Sequence, residues 1–320
     1  MTASTVFNAR KDFLSVLDFD PADLDRCLNL SAQLKSDRLL GRRAPTANSL
    51  EGRHVAMLFE KASLRTRSTF EIATRELGGA VVPLEAEAAL GEREPVADVA
   101  RNLERWVDAV VIRTFSHRLV EEFARSAPRL HVINALTDQE HPCQALADFL
   151  TLREQWGIVR GRTVAWIGDG NNVAVSFVHA AAMLGVNVHV ASPDGYQLSH
   201  AVVQQATAAA RHGARLRLFT DAPDAVAGAD AVYTDTWISM GQESEADRRR
   251  RVFAAYQVNE PLMALAKPGA LFLHCLPAHR GEEVSAEVFE SPASVVFDQA
   301  ENRLHCQKAL LLTLLAGSRP

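Results

Sequence analysis

Only four cysteines occur among 320 residues, Cys27, Cys143, Cys275 and Cys306, and no two of them form a C-x-x-C pair. That spacing excludes a disulfide framework and a zinc knuckle, and it points to a reducing compartment. Basic residues are in the minority: 34 Lys and Arg against 39 Asp and Glu leave a formal net charge of −5. Nucleic acid and anionic membranes both select for a basic excess, so neither is expected as a partner. Long apolar runs are missing as well, although 48% of the residues are hydrophobic; no run approaches the length that spans a bilayer. Residues 1–20 lack the basic stretch, apolar core and small-residue cleavage site of a secretory leader, so the expected location is cytoplasmic.

What the sequence has in quantity is alternation. Short apolar runs at 54–59, 80–84, 109–113 and 131–134 are separated by helical periodicity at 64–77, 94–106 and 117–126. The pattern restarts with runs at 164–167, 186–191, 215–219, 231–233 and 270–274. This predicts an α/β fold of two doubly wound domains, each a parallel sheet covered by helices. Asp20-Pro21 reads as a helix cap followed by proline at the first helical position. Residues 141–156 read as a helix joining the two domains, which places their division at 1–147 and 148–320. The last helical stretch, about 299–316, has no strand after it and is expected to pack back on the first domain.

The strongest chemical signal is Ser63-Leu64-Arg65-Thr66-Arg67, set between a predicted strand and a predicted helix. Backbone N–H groups at a helix start lack intrahelical partners and lie at the positive end of the dipole. Arginine there opposes the dipole, so an anion, and a phosphate above all, accounts for the motif better than a solvated first turn does. Arg65 can add a bidentate contact that lysine would not reproduce. His141-Pro142-Cys143-Gln144 opens another helix after a strand, with a histidine and a glutamine able to reach a bound carbonyl; alone, such a histidine is as readily a structural hydrogen-bonder.

Gly168-Asp169-Gly170-Asn171-Asn172 follows a strand and superficially matches a dinucleotide fingerprint, with Asp194 near the distance for a ribose contact. Val173 stands where the third glycine should fall, which leaves a nicotinamide-dependent oxidoreductase as a weak rival. Asp235 to Gly241 ends another strand, where a carboxylate can anchor an ammonium group. In His274-Cys275-Leu276-Pro277 the thiol reads either as an inert buried group or as one beside a reacting amine. Arg303, in the last helix, reads by itself as a surface charge.

Taken in order, these segments together with Arg113 at a strand end resemble the aspartate/ornithine carbamoyltransferase family, in its ornithine-type members, from about residue 13 to 315. The resemblance implies an active site in the cleft between two α/β domains. It also implies transfer of the carbamoyl group of carbamoyl phosphate to the δ-amine of L-ornithine, giving citrulline and phosphate, with no cofactor and no metal. A homotrimer is implied, open to assembly into larger groups of trimers.

Carried over, Ser63, Leu64, Arg65, Thr66, Arg113, His141, Gln144 and Arg303 fall to carbamoyl phosphate. Asn172, Asp235, Ser239 and Met240 fall to ornithine, and Cys275 and Leu276 to the junction of the two substrates. Arg113, His141 and Cys275 take the catalytic roles. Two positions depart from the pattern: Leu64 stands where threonine is frequent, and Ala89 where some relatives carry a glutamine that reaches a neighbouring subunit's substrate. Other acceptors, putrescine or an acylated ornithine, differ by a few loop residues only.

Overall fold

The computed structural model describes residues 11–90, 94–239 and 241–315. Its contacts divide the chain into two compact units, one of residues through Leu150 together with those from Asn302, the other Thr151–Glu301.

The first unit is built on four parallel strands, β1 (His54–Phe59), β2 (Ala80–Leu84), β3 (Ala109–Arg113) and β4 (His131–Leu136), in the order β2-β1-β3-β4. Helix α1 (Pro21–Asp37) precedes the sheet, and α2 (Arg65–Glu76) returns from β1 to β2. Next come α3 (Ala86–Leu90), α4 (Val96–Trp106), α5 (His117–Ser126) and, after β4, α6 (Pro142–Trp156). The start of α1 follows its sequence signature: the Asp20 carboxylate accepts the Asp23 N–H at 2.7 Å, with Pro21 at the first position. Residues 109–112 of β3 are all wholly buried, as a parallel strand covered on both faces must be. Phe13 closes the edge of β4, donating to Val132 O and accepting from Asn134 N–H, each at 2.9 Å.

The second unit has five parallel strands, β5 (Thr163–Ile167), β6 (Asn187–Ala191), β7 (Leu216–Phe219), β8 (Ala231–Thr234) and β9 (Leu271–His274), in the order β7-β6-β5-β8-β9. Helices α7 (Asn172–Leu184), α8 (His200–Ala209) and α9 (Ala222–Val226) serve the β5–β7 side. They are followed by α10 (Ala246–Phe253), α11 (Glu260–Met263), α12 (Ala286–Phe289) and α13 (Val296–Leu315), whose residues from Asn302 belong to the first unit. Trp166, Phe177 and Tyr233 pack in its core, with ring centroids 4.6 Å and 5.2 Å apart from that of Tyr233. Helices α3, α9, α11 and α12 have only four or five residues, too few to show a period in the sequence. Among the described residues no helix is long and apolar enough to cross a membrane.

Each sheet contains one place where the direction of winding reverses, β1 beside β3 in the first and β5 beside β8 in the second. Loops leaving such a pair diverge to opposite faces, so a crevice opens at the carboxyl edge where ligands of open α/β sheets bind. The loops concerned are 60–64 and 114–116 in one unit, and 168–171 and 235–239 in the other.

Candidate active site

In the first unit the loops at the reversal are tied to one another. The Glu60 N–H donates to Arg113 O at 2.9 Å, and the Glu60 carboxylate accepts the Thr114 hydroxyl and, at 3.3 Å, the Phe115 N–H. Lys61, nearly buried, pairs with Asp138 at 2.6 Å, and its ammonium lies 3.9 Å from the centroid of the Phe115 ring. Register between β3 and β4 shifts at Ile112/Arg113, where Arg113 pairs with Leu136 and Ala135 is passed over. The extra residue belongs to β4, while Arg113 keeps an unbroken register with Phe59 at the end of β1.

Helix α2 begins at Arg65, with Leu64 as its N-cap. Leucine supplies no oxygen for the first-turn N–H groups, no side chain caps them, and no acidic residue stands in that turn. Leu64 is 77% exposed, Ser63 and Arg65 are half-buried, and Thr66 is buried. A helix start without a side-chain cap is the kind of place where an anion is ordinarily held.

Arg303 reaches the same place from α13. Its Nη1 donates to Gln144 Oε1 and its Nη2 to Thr66 Oγ1, both at 2.6 Å, and Gln144 Nε2 donates to Asp148 at 2.8 Å, which fixes the amide's orientation. Arg303 is 3% exposed, so its reading as a surface charge is overturned. The physical reason is that α13 is buried nearly all round: Asn302, His305 and Gln307 are wholly buried too, and its polar residues do not mark a solvent face. His141 is also buried. Burial holds its imidazole well below the usual pKa of 6.5, and the charges of Arg303, Arg113 and Arg65 push in the same direction. The imidazole is therefore neutral near pH 7, a hydrogen-bonding group within a field of three guanidinium charges. A chain of net negative charge thus concentrates positive charge at one helix start, which suits a small dianion.

In the second unit the two loops at the reversal meet through Asn171 and Asp235, whose side chains are 2.7 Å apart. Asp235 is 8% exposed and also accepts the Thr236 N–H at 2.7 Å and the Cys275 thiol at 2.8 Å. Arg249 pins the same loops, donating to Trp237 O and the Asp169 carboxylate while its guanidinium lies over Tyr196 at 4.8 Å. Burial raises the pKa of Asp169, and the Arg249 charge opposes that rise. Ser239 is half-buried and its N–H donates to Gln242 at 3.1 Å; Asn172 is the first residue of α7 and half-buried. Met240 lies outside the described residues. Ala89 sits in α3, partly buried against the first unit's core.

Cys275 and Leu276 follow β9. Leu276 takes φ +62, and its N–H donates to His274 Nδ1 at 2.9 Å. Asp235, His274 and Cys275 offer three metal-ligand atoms within 4.8 Å of one another. His274 uses Nδ1 for Leu276 and Nε2 for Glu283 at 3.1 Å, so a cation there would displace existing hydrogen bonds.

The glycine-rich loop packs closely on the backbone of residues 196–198. A Cβ on Gly170 would meet Leu198 N at 2.6 Å and Gln197 C at 2.7 Å. Asn171 Oδ1 already accepts the Val173 and Ala174 N–H groups at 3.0 and 3.1 Å, the donors a dinucleotide phosphate would need. Asp194 is exposed and holds Gln197 at 3.0 Å.

The sequence reading passed over Asp169, Arg249 and Glu283. Arg249 lies in a run of four arginines, 248–251, a pattern that ordinarily signals a solvated face, and only its tertiary partners distinguish it.

Residues 11–154 match the family model for the aspartate/ornithine carbamoyltransferase carbamoyl-P binding domain, and residues 160–314 match that for the Asp/Orn binding domain. The chain is similar to ornithine carbamoyltransferase of Symbiobacterium thermophilum, 49% identical over 308 residues, which cover 96% of this chain and 98% of that protein. It is 48% identical to the Anoxybacillus flavithermus ornithine carbamoyltransferase over 317 residues, 98% of this chain and 99% of the other. A solved structure of the ornithine carbamoyltransferase from Pyrococcus furiosus matches with a TM-score of 0.93 at 45% identity, covering 99% of this chain and all of that one.

Proposed function

The chain belongs to the aspartate/ornithine carbamoyltransferase family, and from that premise we propose that it transfers the carbamoyl group of carbamoyl phosphate to the δ-amine of L-ornithine, yielding L-citrulline and phosphate. The observation that carries this reading is Arg303 bridging Thr66 and Gln144, with neutral His141 in the field of three arginines beside an uncapped helix start.

Ser63, Leu64, Arg65 and Thr66 hold the phosphate through backbone and side-chain donors, with Arg303 completing the cradle. Arg113, His141 and Thr66 stabilise the charge that develops on the carbonyl oxygen as the neutral δ-amine adds to the carbamoyl carbon. Gln144 orients the carbamoyl group. The C–O bond to phosphate then breaks with its electron pair on the departing oxygen, and the proton given up by the attacking nitrogen ends on the phosphate. Asn172, Asp235, Ser239 and Met240 hold the α-ammonium and α-carboxylate of ornithine, with the Asp235 carboxylate meeting the ammonium. Cys275 and Leu276 stand where the two substrates meet. Positioning two bound substrates supplies much of the remaining acceleration. No cofactor is assigned a part.

The reading extends to a homotrimer acting in the cytoplasm in arginine metabolism, the oligomer being measurable by light scattering. A steady-state assay with carbamoyl phosphate against ornithine, acetylornithine, putrescine and aspartate tests the activity. Ornithine should be preferred by its kcat/KM, and Asp235→Asn should raise KM for ornithine by about tenfold or more while leaving carbamoyl phosphate affinity unchanged. Preference for putrescine, which has no α-carboxylate, would reassign the acceptor.

A further inference from the structure

Behind Cys275 and Leu276 lies a pair of titratable side chains that no step of the proposed reaction uses. His274 and Glu283 are both wholly buried, with His274 Nε2 3.1 Å from Glu283 Oε1. The same oxygen accepts the His279 N–H at 2.6 Å. On its other side His274 is held twice more, since its own N–H donates to Gln299 Oε1 at 3.0 Å and its Nδ1 accepts the Leu276 N–H at 2.9 Å. An imidazole nitrogen that accepts an N–H carries no proton, so the proton sits on Nε2 and points at Glu283. One carboxylate oxygen therefore grips both ends of the turn containing Cys275 and Leu276: residue 274 through its ring, and residue 279 through its backbone. The His279 ring continues the link, its Nδ1 lying 3.2 Å from Thr236 Oγ1, next to Asp235.

The turn needs such a grip. Leu276 sits at φ +62, a conformation that a leucine adopts only when its surroundings impose it. The nearest imposing contact is the His274 Nδ1 acceptor, which exists only in the tautomer that Glu283 selects. We propose that Glu283, acting through His274, is a positioning residue that sets the Cys275–Leu276 turn for carbamoyl transfer, and that it does so as a hydrogen-bond acceptor rather than as a charge. This rests on the carbamoyl-transfer reading above.

The experiment compares Glu283→Leu, which removes the acceptor, with Glu283→Gln, which keeps an oxygen in the same place. Initial rates with carbamoyl phosphate and ornithine are combined with inorganic phosphate binding by calorimetry and with ¹⁵N-histidine NMR of the wild type. The leucine variant is expected to lose about thirtyfold or more in kcat, on the scale of a reacting group displaced by a fraction of an ångström, with phosphate affinity changed less than about threefold. Glutamine is expected to restore kcat to within about fivefold of wild type, and His274 to show the Nε2–H tautomer. The proposal is overturned by a folded leucine variant turning over at the wild-type rate, by a glutamine variant as slow as the leucine one, or by an Nδ1–H tautomer. Should the leucine variant not fold, the tautomer and the glutamine variant still decide. A wild-type protein that forms no citrulline would remove the reading of the reaction, whereas the tautomer would still test the geometry.

Discussion

Two helices in this molecule begin in the same topological position and have been finished differently. Helix α2 follows β1 and α7 follows β5, each at the point where its sheet reverses winding. At α2 the cap is a leucine without a capping oxygen and the first residue is an arginine; at α7 the cap is Asn171, whose oxygen takes the Val173 and Ala174 N–H groups. One start has no side-chain cap. The other has its first-turn N–H groups taken by Asn171, whose amide also holds the Asp235 carboxylate. A glycine-rich loop before a helix is thus not enough to mark a phosphate site; what matters is whether the chain's own side chains have consumed the donors.

If the comparison is sound, damage at the α2 side should exceed damage at the α7 side. The largest loss is expected from Arg303→Met, which removes two charge-assisted hydrogen bonds and strands Thr66 and Gln144 in a buried site. About 3 kcal/mol, or roughly a hundredfold or more, should disappear from kcat/KM for carbamoyl phosphate. Steady-state kinetics alongside thermal melting separates this from simple unfolding, and a stable variant with normal kcat/KM would take Arg303 out of the site.

Next, His141→Ala should lower kcat by about a hundredfold, the usual scale for a lost oxyanion donor. It also carries a pH signature. In the unfolded chain His141 takes up a proton as pH falls through about 6.5, whereas in the folded chain burial and three arginines keep it neutral to well below that value. The unfolded state then binds more protons, so stability falls as pH drops below about 6.5 and the loss ends at the lower folded pKa. Denaturant titrations of His141→Ala should show a shallower decline in that window; an unchanged slope would mean that the imidazole is charged in the native protein.

A smaller effect, about 2 kcal/mol or thirtyfold in kcat/KM, is expected for Arg65→Lys, because an ammonium is a point charge and cannot match a planar bidentate contact. Rescue by lysine would show that only charge is needed at the helix start.

The smallest is Asn171→Ala. Loss of the α7 cap should cost about 1 kcal/mol of stability, read from chemical denaturation, and should weaken ornithine binding without touching carbamoyl phosphate. Were carbamoyl phosphate binding to weaken equally, the two helix starts would not be specialised as described.

Much of this arrangement is legible in the sequence because it is local. Parallel strands buried on both faces are near-continuous apolar runs, and β1 and β3 fall on the runs at 54–59 and 109–113, while the edge strand β2 falls on the run at 80–84. The α2 motif declares itself through an arginine placed against the helix dipole. Groups that owe their role to distant partners stay hidden. Arg303 meets Gln144 and Thr66 at separations of 159 and 237 residues, and no periodicity distinguishes it from a solvated helix charge. Glu283 and Arg249 are similar, since each becomes informative only when its burial and its acceptors or donors are known. The glycine loop, read in the sequence only as a weak dinucleotide match, has its physical reason in the structure, for a Cβ on Gly170 would meet the Tyr196–Leu198 backbone.

The placement of Arg303 has a consequence in time. Ribosomes make a chain from its N-terminus, so Thr66, Arg113, His141 and Gln144 are synthesised before the whole Thr151–Glu301 unit, and Arg303 only after it. A nascent chain that ends before residue 303 lacks the guanidinium that joins Thr66 to Gln144. The Thr66–Arg303–Gln144 bridge is therefore completed only after the whole Thr151–Glu301 unit has been made, and a chain interrupted before residue 303 carries the Ser63–Arg67 motif without the guanidinium that joins it to Gln144.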